Sequence, residues 1–209
     1  MSRQQIIEAA IGLYARYGYR GTTILAIAEA LGVTDGSVLY YFDSKRAILE
    51  AALEAENLPA QAALNYMKRG GIEALRGVAS WGAYMEAHPE STSMHLLLSA
   101  EALGAGSELN GRFDERYRSL ARRLTKAIRK GVDSGEIRPD VDAEHEALAL
   151  IAFTDGVRLQ WMMNKRSYPL EAHVRAYVEH LIERIAVPTH DGLGAQTGEA
   201  KTRGRRKSS

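Results

Sequence analysis

An all-α fold is predicted for this chain by three observations. Only five prolines occur in 209 residues, the β-branched residues are scattered rather than alternating, and Ala, Leu, Glu and Arg are abundant. The spacing divides the chain into an N-terminal unit of short helices over residues 1–50, a larger helical unit over 51–187, and a tail over 188–209 with little to bury.

Ser2 supplies a capping oxygen for a first helix whose apolar residues Ile6, Ala10, Leu13 and Tyr17 recur at i, i+4, i+7 and i+11, and Gly18 ends it. A short second helix runs from about Ile24 to Leu31, with Thr22 or Thr23 as its cap. The stretch "GVTDGSVLYYFDSK", residues 32–45, is too short and too polar at its front for a buried strand. Its glycine reads as a turn between two helices, and Val38 and Phe42, four apart, share a core face. "SKRAILEAALEAE" continues helically from Ser44, with Ile48, Leu49, Ala52 and Leu53 on one side. Further helices are expected near 72–87, 91–103, 109–134, 142–164 and 169–186, punctuated by Gly70-Gly71, Pro89, "GAGSELNG", Gly135, Pro139 and Pro169.

From Pro188 the composition turns Gly-, Thr- and Lys/Arg-rich, and a disordered basic tail is expected. Lys201, Arg203, Arg205, Arg206 and Lys207 stand there against Asp191 and Glu199, so the rest of the chain holds 22 basic and 24 acidic residues, a net of −2. Such a tail either solubilises the chain or attaches weakly to phosphate backbones.

The chain is 45% hydrophobic, enough for a substantial core, and has no cysteine. Disulfide scaffolds and Cys-ligated zinc or iron–sulfur centres are thereby excluded, which fits a reducing compartment. "MSRQQIIEAA" has no apolar signal region, and the longest apolar run, 147–153, is far too short to span a bilayer, so a cytoplasmic protein without a membrane partner is expected. The net charge of +1 offers no general field for nucleic acid, so any DNA contact must rest on placement of charge.

Residues 24–43 have that kind of placement. Ala28, Gly32 and Val38 fall at relative positions 0, 4 and 10, as a helix-turn-helix requires: a small residue where the helices cross, a glycine closing the first, and an aliphatic residue filling the crossing. Thr34 then caps the second helix, and Asp35, Gly36 and Ser37 make a small, polar first turn. In such units that turn meets base edges in the major groove while flanking helix ends meet phosphates. A tight corner in a helical bundle would show the same spacing.

The run "IIEAAIGLYARYGYRGTTILAIAEALGVTDGSVLYYFDSKRAILEAAL" resembles the DNA-binding domain of the TetR family of bacterial transcriptional regulators nearly end to end. The resemblance implies phosphate contacts from Thr23, Tyr41 and Lys45, and groove or base-edge contacts from Thr34, Asp35, Gly36, Ser37, Leu39 and Tyr40. Two positions depart from the family's habit, which often has a basic or amide residue at Asp35 and a tyrosine at Leu39. Asp35 suits a helix N-terminus and can accept from a cytosine amino group, whereas Leu39 can offer only an apolar contact such as a thymine methyl. Arg3, Arg20 and Arg46 can add backbone attraction.

One recognition helix gives little contact, so a two-fold dimer on a palindromic double-stranded operator is expected. In the last helix Val174, Tyr177, Val178, Leu181, Ile182 and Ile185 form a continuous stripe, and the preceding helix is apolar nearly all round, with Gly156 allowing close approach. The resemblance implies that these two helices pair with their mates; an intramolecular core would explain the same stripe. Trp81, Tyr84, Met85, His95, Leu98, Phe113, Tyr117 and Phe153 are the candidates for lining a small-molecule pocket, although an ordinary core also uses such residues.

Enzymatic patterns are thin. None of the six histidines completes His-Glu-x-x-His or follows a glutamate by three, Gly104-Ala-Gly106 lacks a P-loop lysine, and no Gly-x-Ser-x-Gly elbow occurs. No metal or cofactor is expected. The chain therefore reads as a dimeric transcriptional repressor released from its operator by a small-molecule inducer. The alternative is a helical small-molecule-binding or scaffold protein without sequence-specific DNA binding.

Overall fold

The computed structural model describes residues 1–188, with the backbone alone for residues 56–67. The basic tail expected from 189 onward lies outside the described residues. Among these, nine helices follow one another: α1 (Arg3–Tyr17), α2 (Ile24–Leu31), α3 (Asp35–Tyr41), α4 (Lys45–Arg69), α5 (Gly71–Ala87), α6 (Pro89–Ala102), α7 (Asn110–Asp133), α8 (Ala143–Met163) and α9 (Leu170–Ile185). The extended backbone they leave includes one isolated antiparallel bridge, between Ile137 and Ala186.

Local chemistry sets the first boundaries. Ser2 and Gln5 form a reciprocal capping box at α1, where the Ser2 side chain accepts from Gln5 N–H and the Gln5 side chain accepts from Ser2 N–H. Thr23, rather than Thr22, caps α2 by accepting from Ala26 N–H. Thr22 is instead fully buried and donates its hydroxyl to Gly18 O at 2.8 Å. Gly32 ends α2 at φ 66°, a left-handed conformation that costs glycine nothing, and Val33 N–H reaches back to Ala28 O at 3.0 Å. The axes of α2 and α3 are turned 104° from one another, and Ala28 and Val38 are both fully buried between them.

The predicted boundary at residue 50 falls inside α4, which carries the chain without a break from one core to the other. The first core holds Ile6, Tyr14, Ile27, Val38 and Ile48, and is completed by Met94 and Leu98 of α6 and Phe113 of α7. The second is built by α5, α7, α8 and α9 around Leu75, Ile128, Leu150 and Val178. Tyr117 packs against both. The α8 and α9 helices are tied by a bidentate pair, Arg184 Nη1 and Nη2 donating to the buried Glu146 carboxylate at 2.6 Å each. Among the described residues no single helix is long and apolar enough to cross a membrane.

Candidate functional site

The α3 helix is held from beneath and open above. Val38 and Phe42 plug the first core, with the Arg3 guanidinium 4.7 Å over the Phe42 ring. Thr34 Oγ1 accepts from Ser37 N–H at 3.2 Å and lies 2.9 Å from Ser37 Oγ, which sets both hydroxyls at the start of the helix. The Asp35 carboxylate accepts from Gly36 N–H at 2.8 Å in the first turn, so its charge sits where the helix leaves backbone donors free. Leu39 and Tyr41 are exposed, and Tyr40 is 84% exposed, resting edge-on against the Tyr41 ring. Tyr41 donates its hydroxyl to Met1 O at 3.0 Å. These side chains, with the exposed Thr23, form one face at the end of the first unit.

Lys45, expected to meet phosphate, has partners within the chain itself. Its Nζ donates to Tyr19 O and Thr22 O, each at 3.0 Å, and lies 4.1 Å from the Tyr19 ring centroid. The ammonium thus staples the α1–α2 link to the start of α4. The same link is held from the other side by α6. Glu101 Oε2 accepts from Tyr19 N–H at 3.1 Å and Arg20 N–H at 3.2 Å, and Ser93 donates to Ala15 O at 2.8 Å. Gly18 makes room for the clamp: its φ is +70°, and a Cβ there would lie 1.8 Å from Glu101 Oε1.

A cavity of about 750 Å³ opens among α5, α6, α7 and α8, with residues of α4 at its border. Trp81, Met85, His95, Phe113 and Tyr117 line it as expected, together with Val78, Leu124, Leu150 and Ile151. Three expected residues do not line it. Leu98 is fully buried in the first core, Tyr84 stacks between Trp81 and His88, and Phe153 stacks on Tyr177 at 3.8 Å between α8 and α9. Each is apolar or aromatic on a middle helix, a property that does not say which neighbour it meets. The polar lining was missed: Arg112, Arg116, Asp155 and Arg158 all face the cavity. Asp155 and Arg158 stand three apart as the charged residues of the largely apolar stretch 147–163, which is the available signal.

His95 is buried, and burial, followed by the charges of Arg116, Arg158 and Arg112, holds its pKa well below 6.5. As pH falls the unfolded chain therefore takes up a proton that the folded one refuses. Stability present above the unfolded pKa of about 6.5 is lost below it, with a limiting slope of about 1.4 kcal/mol per pH unit for one proton. Thermal unfolding between pH 7.5 and 5.5 should show this loss in the parent chain and a shallower one in His95→Gln.

The α9 stripe is a correction. Val174, Val178, Leu181, Ile182 and Ile185 are all buried within this one chain, facing α5, α7 and α8, so they form an intramolecular core and not a dimer surface. Tyr177 is half-buried. Among the described residues α8 leaves an apolar face open, where Leu148, Leu159 and Met163 are 60%, 46% and 77% exposed. Ala152 is exposed on the same side, and a Cβ built on Gly156 would meet nothing within 4 Å.

Comparison with known proteins agrees with this geometry. Residues 6–52 match the family described as bacterial regulatory proteins, tetR family, and residues 79–186 match that of the C-terminal part of BetI-type transcriptional repressors. The chain is 25% identical over 200 residues to the transcriptional repressor KstR2 of Rhodococcus jostii, covering 89% of this chain and 92% of that one. Among solved structures it is similar to the regulator FadR of Bacillus subtilis in complex with stearoyl-CoA, with a TM-score of 0.71, 25% identity, and coverage of 87% of this chain and 98% of that one. A transcriptional regulator of Saccharomonospora viridis in complex with choline superposes with a TM-score of 0.72 at 26% identity, covering 89% and 98% of the two chains.

Proposed function

The chain belongs to the TetR family of bacterial regulatory proteins, and we propose on that footing that it is a cytoplasmic homodimeric repressor. It binds a palindromic operator and leaves it when a small molecule fills the α5–α8 cavity. The observation that carries this reading is the outward face of α3. Gly36, Ser37, Leu39 and Tyr40 stand clear of the core on a helix whose other side is fully committed to it. Small residues at the first turn allow close approach to base edges, and Tyr41 and Thr23 flank the groove within reach of phosphates.

Dimerisation would use the exposed α8 stripe, since an apolar row of this kind rarely stays open to water. Two-fold pairing sets the recognition helices about 34–36 Å apart, one turn of DNA. The cavity is joined to the DNA unit through α6, which bears His95 on the cavity wall and Glu101 on the clamp, six residues or about 9 Å along the axis. A ligand that shifts α6 pulls on the Tyr19–Arg20 link and so on the placement of α3. To move the two-state population a hundredfold, its affinities for the two states must differ by about 2.7 kcal/mol. The relatives carry ligands of opposite headgroup charge, choline and stearoyl-CoA, so the sign belongs to this chain's own lining.

A gel shift with DNA from upstream of the protein's own gene tests the reading. A salt-sensitive, sequence-selective shift is expected, and Ser37→Ala should alter affinities unequally among operator variants, by roughly 1–3 kcal/mol at the base pair it reads. No selective shift at low salt would remove the regulator reading.

A further inference from the structure

The cavity is lined by five arginines and three carboxylates, and the excess sits at its buried end. The Arg158 side chain is only 8% exposed; its Nη2 donates to Asp155 Oδ1 at 2.8 Å, while its Nε has no acceptor among the described residues. Arg116 lines the same wall, and among the described residues no carboxylate lies within ion-pair distance of it. Burial, and then repulsion from Arg158, lowers its pKa. His95 adds a buried Nδ1 that has no partner among the described residues. Asp155 thus stands alone against two guanidiniums in this inner group. The acids Glu108 and Glu115 are on the exposed rim, where Glu115 already accepts from Arg122.

Two enclosed guanidiniums against one carboxylate leave positive charge uncompensated, which is costly, and their forks of donors match the two oxygens of a carboxylate or phosphate. The remaining wall is apolar. Trp81 and Phe113 could face a quaternary ammonium, but the adjacent guanidiniums would repel it, and ring attraction of about 0.5–2 kcal/mol is small beside that.

We propose that the cavity binds an amphiphilic anion, with a carboxylate or phosphate headgroup on Arg158 and Arg116 beside His95 and an apolar body along the α5–α7 wall. As an inducer class this rests on the repressor reading above. As a binding specificity it stands apart from that reading.

The test is calorimetric titration of the full-length protein with dodecanoate, dodecyl phosphate, dodecanol and dodecyltrimethylammonium, each below its micellar concentration. At least one anion should bind tenfold or more tighter than dodecanol, and the ammonium should bind more weakly than dodecanol. Which anion prevails separates a carboxylate ligand from a phosphate ester. Arg158→Gln and, because it lies on a less enclosed side chain, Arg116→Gln should each weaken anion binding at least tenfold and leave dodecanol within twofold. Equal binding of the neutral or cationic probe, no binding of either anion, or unchanged anion affinity in Arg116→Gln would overturn the proposal. Operator release is measured separately. Anion-selective binding that leaves DNA bound upholds the ligand class and overturns the inducer role instead.

Discussion

The double substitution Leu159→Glu and Met163→Glu is expected to turn the protein into a monomer and to weaken operator binding by about a thousandfold. Leu148, Ala152, Leu159 and Met163 follow one another at intervals of four or seven along α8, so they make one stripe, with Gly156 opening space beside it. A two-fold interface sets such a stripe against its own copy. The substitutions would therefore place four like charges in a desolvated apolar contact, a cost that buried area cannot offset. A lone protomer keeps only one recognition helix. Its affinity should fall from the nanomolar-or-better range of specific complexes toward the non-specific range of about 10⁻⁴–10⁻⁶ M. Because both positions are exposed in the single chain and glutamate is a good helix former, the thermal midpoint should change little. Light scattering and gel shift check this together; a dimer that persists would move the interface off α8.

Lys45→Met should lower the stability of the free protein by roughly 2–3 kcal/mol, or about 5–10 °C in the thermal midpoint. The methionine keeps the stem, but Tyr19 O and Thr22 O lose a charged donor and the Tyr19 ring loses its cation. DNA affinity should fall with it, because the released link is the one that α6 holds through Glu101. If Lys45 served only as a phosphate contact, the DNA-free protein would melt unchanged and the salt dependence of binding would drop by about one charge. Unfolding without DNA and binding across a salt series distinguish the two.

Much of the N-terminal unit was legible because its determinants are local. Caps and glycine turns act over three or four residues, so Ser2, Thr34, Gly18 and Gly32 mark helix ends whatever lies around them. The spacing of Ala28, Gly32 and Val38 specifies a crossing because it states which atoms must be small and which must fill the gap. The role of Asp35 was half legible: its chemistry suited a helix start, and the bond to Gly36 N–H places it there.

The cavity was legible only as a class of residues. Five of its eight expected lining residues face it, and the three that do not are as apolar as the five that do. Its guanidiniums were not legible, because an arginine on a helix usually points to water, and the packing of α6 against α7 and α8 encloses Arg158.

The sequence by itself determined that the chain is helical, about where most of its helices begin, that residues 24–43 have the spacing of a helix-turn-helix, and which family the chain resembles. Those properties depend on spacing along one strand of chain. Tertiary structure alone decided that the α9 stripe faces inward and the α8 stripe outward, that Lys45 ties the α1–α2 link to α4, and that Arg158 and Arg116 line one cavity with Asp155 as the carboxylate nearest to Arg158. The physical reason is that helical periodicity says a face is apolar but not what covers it, and the sign of a site is the sum of charges brought together from helices far apart in the chain.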